Sequence, residues 1–482
     1  MITDIMSRGW RGAAALTALC KARVGQMTTA QKITDCIGNT PLVEVNCFDT
    51  GVCRLFLKLE SQNPGGSIKD RIGLSMVEQA EKEGRIKPGD TLIEATAGNT
   101  GIGLALAAVA KGYRLILVIP DKMSIEKINH LKAMGVAIVI TRSDVAKGHP
   151  EYYQDYAQRI ARETPHSFYI NQFDNPANPL AHELTTAPEI WEQTGHAVDA
   201  IVVGVGSAGT LKGLTNYFKK VKPDLEIILA DPEGSVLAGY VNDKEIRDAG
   251  SWLVEGIGED FVPPQFDGTL VKKAYLVSDA ESFAAARTLL RREGILAGSS
   301  SGTLISAAVK YGRAQREPKN IVTFVCDSGN KYLTKMFNDF WMADQGFIRA
   351  ERQGDMEALI TRKYSEHAVI TVKPEDTLLN AHSKMRLYEI SQIPVVAADT
   401  VVGIIDEWDL LTAVERGDAA VFNRPVQDYM SKEITTVSLE DDPATVVAIL
   451  KKGYLVIVTK EKRFYGLITK MDYLNYLRRK LK

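Results

Sequence analysis

Between residues 40 and 340, short apolar runs alternate with longer segments in which apolar residues recur at helical spacing. The runs are rich in Ile, Val and Leu with little polar alternation, which is typical of strands covered on both faces. They predict seven strands, at 55–59, 91–94, 115–119, 137–141, 200–205, 226–230 and 321–326. Four helices are predicted between them, over 67–83, 101–111, 124–134 and 210–220. The alternation indicates an α/β fold with doubly wound, mostly parallel sheets, which bind ligands at the carboxyl ends of their strands.

Beyond residue 340 the pattern changes. Residues 342–360 are polar and lack a strong strand signal, so they are predicted to be a linker. A second pattern then occurs twice, closing on GIIDEWDLL from Gly403 and on GLITKMDYL from Gly466. The two glycines are 63 residues apart (466 − 403), which indicates an internal repeat. We therefore predict a large domain over 27–341, followed by two repeats over 361–420 and 424–482.

Composition excludes several classes of protein. The chain has 482 residues, of which 45% are hydrophobic and 24% charged, as in ordinary globular proteins. Its net charge of −2 provides no basic field for nucleic acid or anionic lipid. The five cysteines form no CxxC pair, which argues against a zinc site or a disulfide scaffold. The apolar runs are far shorter than the roughly 20 residues that span a bilayer, so we expect a cytoplasmic protein.

The N-terminal 26 residues are basic and contain a short apolar run over 13–19. No clear cleavage pattern follows that run. The sequence favours an extended or mis-set start, with Met27 as the more natural first residue. An organellar transit peptide and a secretion signal are the alternatives.

The first candidate motif is NPGGSIKDR, at residues 63–71. Its Pro-Gly-Gly turn allows close approach of the backbone, and a helix begins near Ser67. Lys69 falls in the first turn of that helix, where the helix dipole disfavours a cation. A lysine with a lowered pKa is a better nucleophile toward an aldehyde, although an ordinary surface lysine is the alternative.

The second motif is EATAGNTG, at residues 94–101, where a strand ends and a helix begins. Its backbone N–H groups and the hydroxyls of Thr96 and Thr100 suit a carboxylate at a helix N-terminus. Asn99 adds a directed amide. A plain turn with a helix cap explains the same residues without any ligand.

The third motif is GVGSAGT, at residues 204–210, which has the layout of a phosphate cradle between a strand and a helix. It also fits the G-x-G-x-x-G pattern of dinucleotide sites. Asp231 ends the next predicted strand, about where such a site keeps its ribose-binding acid. On this motif alone, a nicotinamide oxidoreductase remains an alternative.

The fourth motif, GSSSG at residues 298–302, matches the G-x-S-x-G nucleophile elbow of hydrolases. No suitable acid and histidine follow, since the next histidine is His367 in the repeat region. We interpret the motif instead as a helix N-terminus whose hydroxyl points at a ring nitrogen.

Together and in this order, the four motifs resemble fold-type II pyridoxal-phosphate enzymes of the cysteine synthase / cystathionine β-synthase family, over residues 30–340. The resemblance implies that Lys69 bonds pyridoxal phosphate, Asn99 lies beside its phenolic oxygen and Ser300 at its pyridine nitrogen. It implies a phosphate site made of Gly206, Ser207, Ala208, Gly209 and Thr210. The implied substrate-binding residues are Thr96, Gly98, Thr100, Gln172 and Gly258.

In this family the cofactor supports loss of a β-leaving group to an aminoacrylate, to which a thiol adds. The segment VEGIGEDF, from Val254, looks more like cystathionine synthases than like simple cysteine synthases, and Glu255 is a candidate catalytic residue. The expected reaction joins L-serine to L-homocysteine and gives L-cystathionine and water. A cysteine synthase that uses O-acetylserine is the alternative, and release of hydrogen sulfide is an expected side activity.

Two departures from the family pattern stand out. Ala97 occupies a position where many relatives carry Ser. Animal relatives carry an N-terminal haem segment with Cys and His ligands, but residues 1–40 contain no His, so we expect no haem. No metal site is predicted.

The two C-terminal copies resemble the paired CBS repeats of a Bateman module, which often binds adenosine ligands. The resemblance implies a regulatory site for S-adenosylmethionine or an adenine nucleotide at Asp409, Thr469 and Asp472. Asp406 replaces the Thr in the first copy, and its carboxylate would repel a nucleotide phosphate. Two alternatives to this regulatory site remain open: the repeats could serve only as dimer contacts, or the protein could be a sensor without catalysis.

Relatives are dimers or larger, so we expect a homodimer. We expect it to bind small amino acids, not nucleic acid or membranes.

Overall fold

The structure is a computed structural model. It describes residues 29–96, 98–121, 123, 125–145, 148–348, 356–360, 362–416, 419–451 and 455–480. The predicted N-terminal extension and Ala97 lie outside the described residues. The chain divides into two compact units, with the boundary between Leu333 and Thr334.

The first unit contains two sheets. A six-stranded sheet has the order β1-β2-β10-β7-β8-β9, and all its neighbours are parallel except β1 and β2. A four-stranded sheet, β5-β4-β3-β6, is parallel throughout. The strands are β1 (Leu42–Val45), β2 (Arg54–Lys58), β3 (Thr91–Ala95), β4 (Arg114–Pro120), β5 (Ala137–Thr141), β6 (Ser167–Tyr169), β7 (Ala200–Gly204), β8 (Glu226–Pro232), β9 (Lys273–Val277) and β10 (Asn320–Phe324). The predicted α/β class with mostly parallel sheets is confirmed.

Ten α-helices pack around these sheets in the described residues of the first unit. They are α1 (Lys69–Lys82), α2 (Asn99–Lys111), α3 (Ile125–Ala133), α4 (Tyr153–Glu163), α5 (Ala177–Ala181), α6 (Ala187–Gln193), α7 (Gly209–Val221), α8 (Leu237–Asn242), α9 (Asp279–Glu293) and α10 (Ser299–Arg313). A π-helical turn, His182–Thr186, joins α5 to α6. All seven predicted strands and four predicted helices are present, with bounds within two residues of those predicted.

Two glycines bring α1 and α2 into backbone contact. A Cβ at Gly73 would lie 2.4 Å from the carbonyl carbon of Gly103. A Cβ at Gly103 would lie 2.5 Å from the carbonyl oxygen of Lys69. Any larger residue at either position would push the helices apart. This approach places the first turn of α1 beside that of α2.

A buried ion network anchors the start of α1. The Arg71 guanidinium contacts both carboxylate oxygens of Glu60 at 2.8 Å and both of Glu189 at 2.7 and 2.8 Å. Lys58 in β2 also reaches Glu189, at 2.6 Å. Bidentate pairs of this kind fix orientation as well as distance. These contacts connect α1 to β2 and to α6. They are made by Arg71, which is two residues after Lys69 in the sequence.

The second unit contains both predicted repeats. Its helices are α11 (Asp339–Asp344), α12 (Leu378–Tyr388), α13 (Glu407–Arg416), α14 (Ala444–Lys451) and α15 (Lys470–Lys480). Its strands are β11 (Arg362–Lys363), β12 (Gln392–Ala397), β13 (Thr400–Asp406), β14 (Thr436–Ser438), β15 (Val456–Lys460) and β16 (Arg463–Ile468). Each repeat carries an antiparallel pair, β12–β13 in the first and β15–β16 in the second.

The chain just before the first repeat packs into the second repeat. Met356, Leu359 and Ile360 are buried in one core with residues of the second copy. The following strand β11 pairs with β16, about a hundred residues later in the sequence. Composition marked this stretch as linker because a buried segment of only a few residues has no detectable periodicity. In the structure, Met356, Leu359 and Ile360 from the end of this stretch contribute to the core of the second repeat.

Candidate active site

Lys69 is the first residue of α1, where it is partly buried. Burial lowers the pKa of its ammonium, while the nearby acidic groups of Cys326, Asp327 and Glu259 act in the opposite direction. Within the described residues, its Nζ has no hydrogen-bond partner. Lys69 is therefore an amine that is held at a helix N-terminus, favoured in its neutral form and available to react.

Cys326, two residues after the end of β10, contacts the segments that carry Lys69 and Ser300. The Ile68 N–H donates to the carbonyl oxygen of Cys326 at 2.8 Å, and the Cys326 N–H donates to Ser301 Oγ at 2.9 Å. Burial raises the pKa of the Cys326 thiol to about 12, while Asp327 raises it further and Lys69 and the Ser300 hydroxyl lower it. The predicted lysine and the predicted serine thus approach the same thiol from different elements.

The loop after β3 contacts Gln172. Thr100 Oγ1 donates to Gln172 Oε1 at 2.8 Å, and Gln172 Nε2 reaches Glu94 Oε1 at 3.3 Å. The Gly98 N–H donates to Thr96 Oγ1 at 3.3 Å. Burial raises the pKa of Glu94 to about 8, and its Oε2 has no hydrogen-bond partner among the described residues. The contacts of Gln172 with Thr100 and Glu94 therefore hold the loop in place.

Asn99 begins α2 and is held at both ends of its amide. Its Nδ2 donates to Asp327 Oδ2 at 2.8 Å, and its Oδ1 accepts from Lys331 Nζ at 2.8 Å. Lys331 also donates to the carbonyl oxygens of Gly65 and Gly66, at 3.2 Å each. An asparagine NH₂ has two donors, so one N–H of Asn99 is left for a ligand.

The glycine-rich loop joins β7 to α7. Within the described part of the chain, its backbone N–H groups from Gly206 to Thr210 have no acceptor. Ser207 Oγ accepts from Asn178 Nδ2 at 2.9 Å, and Thr210 Oγ1 lies 3.2 Å from His182 Nε2. Unpaired N–H groups at the N-terminus of a long helix form an anion site. The loop therefore has the donors that a phosphate requires.

Glu255 lies in a buried polar chain that the sequence did not reveal. Its Oε2 accepts from Lys127 Nζ at 2.7 Å, and Lys127 also donates to the Tyr332 hydroxyl at 3.1 Å. Tyr332 donates in turn to Asp327 Oδ2 at 2.8 Å, the oxygen that also holds Asn99. The chain links the predicted catalytic acid to a predicted cofactor residue.

Lys127, Tyr332, Asp327 and Lys331 were not among the predicted site residues. Asp327 had a usable signal, because it follows the carboxyl end of β10, where ligands of such sheets bind. Lys127 had none. It occupies a short amphipathic helix and looks in the sequence like any surface lysine, yet its side chain is only 3% exposed.

Gly258 and Asp231, which the sequence also marked as candidates, make contacts within the protein. The Gly258 N–H donates to Val205 O at 2.8 Å, and a Cβ at Gly258 would meet Pro232 at 2.5 Å. Its predicted contact with substrate would therefore involve the backbone. The Asp231 carboxylate accepts from the Ala238 N–H at 2.8 Å at the start of α8. That bond occupies one oxygen of the acid that the dinucleotide alternative requires.

Comparison with known proteins identifies the family. The model of the pyridoxal-phosphate dependent enzymes matches residues 33–327, and the CBS domain model matches residues 362–416 and 426–479. A cystathionine β-synthase of Dictyostelium discoideum is 36% identical over 460 residues, or 92% of each chain. This chain belongs to the cystathionine β-synthase family of pyridoxal-phosphate-dependent enzymes. The mouse cystathionine β-synthase is 38% identical over 88% of this chain and 77% of its own.

Solved structures with the same fold cover about two thirds of this cystathionine β-synthase family member. An O-acetylserine dependent cystathionine β-synthase from Helicobacter pylori is 35% identical with a TM-score of 0.59, over 64% of this chain and 99% of its own. A hydrogen sulfide-producing enzyme from Fusobacterium nucleatum is 37% identical with a TM-score of 0.59, over 63% of this chain and 100% of its own.

The residues of this family member fit pyridoxal phosphate, the cofactor of the family. The cofactor has an aldehyde, a phosphate and a pyridine nitrogen, and each group has a chemical counterpart here. Lys69 offers a free amine, the Gly206–Thr210 loop offers unpaired N–H donors, and Ser300 offers a hydroxyl at the start of α10. The assignment of single residues to single cofactor atoms stays a prediction.

The predicted regulatory residues cap two helices of the second unit. Asp472 Oδ2 accepts from the Thr469 N–H at 2.7 Å and from Thr469 Oγ1 at 2.6 Å. In the first repeat, Asp406 and Asp409 each accept the other's backbone N–H, at 2.8 and 3.1 Å. Burial, followed by the charge of Asp406, raises the pKa of Asp409 to about 6. These hydrogen bonds cap helices and do not test whether the same residues bind an adenosine ligand.

Among the helices of the described residues, we find none with the length and apolar character needed to cross a membrane.

Proposed function

We propose that this protein catalyses β-replacement on L-serine with L-homocysteine as the thiol, giving L-cystathionine and water. One observation carries the proposal. In a chain 36% identical to a cystathionine β-synthase over 92% of both lengths, Lys69 begins α1 with no hydrogen-bond partner for its Nζ among the described residues, and burial lowers the pKa of its ammonium. The runner-up, a cysteine synthase, would use the same lysine.

The cofactor-binding residues in this proposal come from three helix N-termini. The N–H groups of the Gly206–Thr210 loop bind the phosphate, Asn99 donates to the phenolic oxygen, and Ser300 donates to the ring nitrogen. When bound, pyridoxal phosphate draws electrons from the amino acid and so eases loss of its Cα proton. A serine at the ring nitrogen does not hold a proton there as an acid would. This moderates the electron demand and favours loss of a β-leaving group.

The substrate residues orient the amino acid over Lys69. The Thr96 and Thr100 hydroxyls, with the N-terminus of α2, bind its carboxylate, and Gln172 holds Thr100 in place. Lys69 Nζ removes the Cα proton and supplies a proton to the departing hydroxyl. Glu255, which the Lys127 ammonium holds in place at 2.7 Å, is the proposed acceptor of the proton of the incoming thiol.

O-Acetylserine is the alternative donor. The Helicobacter pylori structure with this fold is named for its dependence on that compound, and acetate leaves without needing a proton. Hydrogen sulfide release from cysteine is a proposed side activity, in line with the Fusobacterium nucleatum enzyme.

Product analysis tests the proposal. The purified protein, loaded with pyridoxal phosphate, is given homocysteine with either L-serine or O-acetylserine, and sulfide with either donor. Cystathionine from serine as the fastest reaction supports the proposal. Cysteine from O-acetylserine and sulfide, with serine inert, would make the protein a cysteine synthase with a regulatory tail.

We also propose that the second unit binds an adenosine ligand beside Thr469 and Asp472, with Asp409 as the counterpart in the first repeat. Calorimetric titration of the full chain with S-adenosylmethionine and with ATP tests this. Binding that Thr469→Val weakens supports the proposal, and no heat with either ligand contradicts it.

Location and assembly are proposals as well. The four cysteines of the described residues, Cys36, Cys47, Cys53 and Cys326, are free thiols, which supports a cytoplasmic protein. The family resemblance supports a homodimer or larger homo-oligomer.

A further inference from the structure

The ring of His182 connects the π-helical turn to the glycine-rich loop. His182 is the first residue of that turn and is 0% exposed. Its Nδ1 lies 2.9 Å from Thr186 Oγ1, at the other end of the turn, and its Nε2 lies 3.2 Å from Thr210 Oγ1. Thr210 is the last residue of the loop that is proposed to bind phosphate. Since π-helical turns are rare and often lie at functional sites, the contact is a candidate for a functional role.

A glycine of α7 allows the helix backbone to approach this histidine closely. A Cβ at Gly213 would lie 2.7 Å from His182 Cβ, and closer still to the carbonyl oxygen of Pro179. The first turn of α7 therefore packs directly on the π-helical turn. Because close-packed side chains have little room to move, the imidazole is held against Thr210.

The buried imidazole is neutral. Burial, followed by the positive charges of Lys69 and Arg71, lowers the pKa of His182 well below its ordinary value of 6.5. A neutral imidazole has one N–H donor and one acceptor nitrogen. The ring can therefore donate to only one of its two threonine neighbours, and it must accept a proton from the other.

The burial of Thr186 decides which ring nitrogen carries the proton. Thr186 is 0% exposed, and among the described residues its hydroxyl has His182 Nδ1 as its one hydrogen-bond partner. If Nδ1 carried the proton, the Thr186 O–H would be a buried donor without an acceptor, which is costly in free energy. If Thr186 donates to Nδ1, its donor is satisfied and the ring proton lies on Nε2.

A proton on Nε2 determines what the Thr210 hydroxyl can do. Thr210 Oγ1 then accepts from the ring, so its own O–H points elsewhere. No other described residue accepts that proton. The hydroxyl belongs to the second residue of α7, beside the unpaired N–H groups of the loop. An anion at this helix N-terminus is the acceptor that fits.

We infer that His182 is a positioning residue, which turns the Thr210 hydroxyl so that it donates to the phosphate of the cofactor. This inference rests on the proposed phosphate site at residues 206–210. In the other tautomer, Thr210 would donate to the ring and would offer the phosphate only its lone pairs, which an anion repels. His182 acts through Thr210 and does not itself contact the cofactor.

Nuclear magnetic resonance of the wild-type protein tests the tautomer directly. The full chain is labelled with ¹⁵N at histidine and loaded with pyridoxal phosphate, and the His182 signals are identified by their loss in His182→Gln. An unprotonated ring nitrogen resonates far downfield of a protonated one. We expect a protonated Nε2 and an unprotonated Nδ1. A protonated Nδ1, alone or in a doubly protonated ring at neutral pH, would overturn the inference.

Two amide replacements test the effect on the phosphate. The NH₂ group of glutamine falls near the position of His182 Nε2, whereas that of asparagine falls near Nδ1. His182→Gln should therefore bind pyridoxal phosphate within about twofold of wild type, and His182→Asn about tenfold more weakly, as should Thr210→Val. Adding His182→Asn to Thr210→Val should cause no further loss, because the histidine acts through that hydroxyl. Equal losses with Gln and Asn, or additive losses in the double variant, would contradict the positioning role.

Pyridoxal, which lacks the phosphate, is the matched ligand control. Its dissociation constant should be the same for the wild-type protein and His182→Asn. A tenfold weaker binding of pyridoxal as well would show that the variant disturbs the whole site, and it would overturn the inference. The proposed function fails separately, if Lys69 of the wild-type protein does not bond pyridoxal phosphate. A cofactor bonded to Lys69 with equal affinity in wild type and His182→Asn would contradict the role of His182 alone.

Discussion

The Lys127 ammonium lies 2.7 Å from the Glu255 carboxylate, and the two residues belong to opposite halves of the first unit. Lys127 is in α3, which follows a strand of the four-stranded sheet, and Glu255 follows a strand of the six-stranded sheet. The pair therefore joins a helix beside one sheet to a loop beside the other. Both side chains are less than 10% exposed, so solvent screens the pair little.

Removing the cation should reduce both stability and activity. Lys127→Met leaves a buried carboxylate without the ammonium that faces it, which costs about 3 kcal/mol when a buried pair is broken. We expect a lower unfolding temperature and a lower kcat/KM with homocysteine. Replacing both partners, as Lys127→Met/Glu255→Gln, should be less destabilising than the sum of the single changes.

A surface pair of equal length is the matched control. Lys220 lies 2.7 Å from Glu183, but the lysine side chain is 68% exposed. Lys220→Met should cost no more than about 1 kcal/mol and leave kcat/KM unchanged. Equal losses of stability and of kcat/KM in Lys127→Met and Lys220→Met would show that the buried Lys127–Glu255 pair contributes no more than a surface pair.

Glu94 should make the protein less stable as pH rises. Burial raises the pKa of Glu94 to about 8 from an ordinary value of 4.5, so between these values the folded protein holds a proton that the unfolded chain releases. The free energy of unfolding then falls by about 1.4 kcal/mol per pH unit in that window. Glu94→Gln lacks this loss, so its stability relative to wild type, measured by urea unfolding, should rise between pH 5 and pH 8.

Glu226 provides the control of opposite sign. Burial raises its pKa, but hydrogen bonds from Lys272, Lys319 and Tyr311 outweigh burial and lower the pKa to about 2. Above the ordinary pKa of 4.5, its contribution to stability is fully present and constant. Glu226→Gln should therefore destabilise the protein equally at pH 5 and pH 8. A Glu94→Gln variant that also shows no pH dependence would contradict the proposed protonation of Glu94.

Gly98 should not tolerate a side chain. Its φ of +132° is strained for any L-residue, and a Cβ would lie 2.6 Å from Lys127 Cδ. Gly98→Ala must displace Lys127 from Glu255, so kcat/KM should fall at least as far as in Lys127→Met. Gly112 at the end of α2 also has a positive φ, of +78°, but open space around it. Gly112→Ala should cost only about 1 kcal/mol of stability and leave activity unchanged.

Much of the fold could be predicted because its signals are local. The strand β5 (Ala137–Thr141) is present with the predicted bounds, because a short run of branched apolar residues between two turns favours a strand over other secondary structure. The loops around Lys69, Asn99 and Gly206 carry glycines, the local signal from which the sequence predicts a close approach of backbone and ligand. Short edge strands such as β6 (Ser167–Tyr169) have no comparable signal.

The residues that sequence reasoning missed are those whose role comes from tertiary contact. Tyr332 and Lys331 follow a strand with no glycine pattern, yet their side chains reach Asp327 and Asn99. Strand β11 pairs with β16 across roughly a hundred residues, which no local pattern encodes. Such contacts become visible only when the sheets have brought distant loops together.

Lys69 is the lysine that we propose to bond the cofactor. Three lysines line this site, but Lys127 and Lys331 are each held by hydrogen bonds to other residues, at 2.7 and 2.8 Å, whereas Lys69 Nζ has no such partner in the described residues. Borohydride reduction of the protein loaded with pyridoxal phosphate, followed by peptide mapping, locates the bond directly. We expect the pyridoxyl group on Lys69 and none in Lys69→Ala, whereas a label on Lys127 or Lys331 in the wild-type protein would show that another lysine bonds the cofactor.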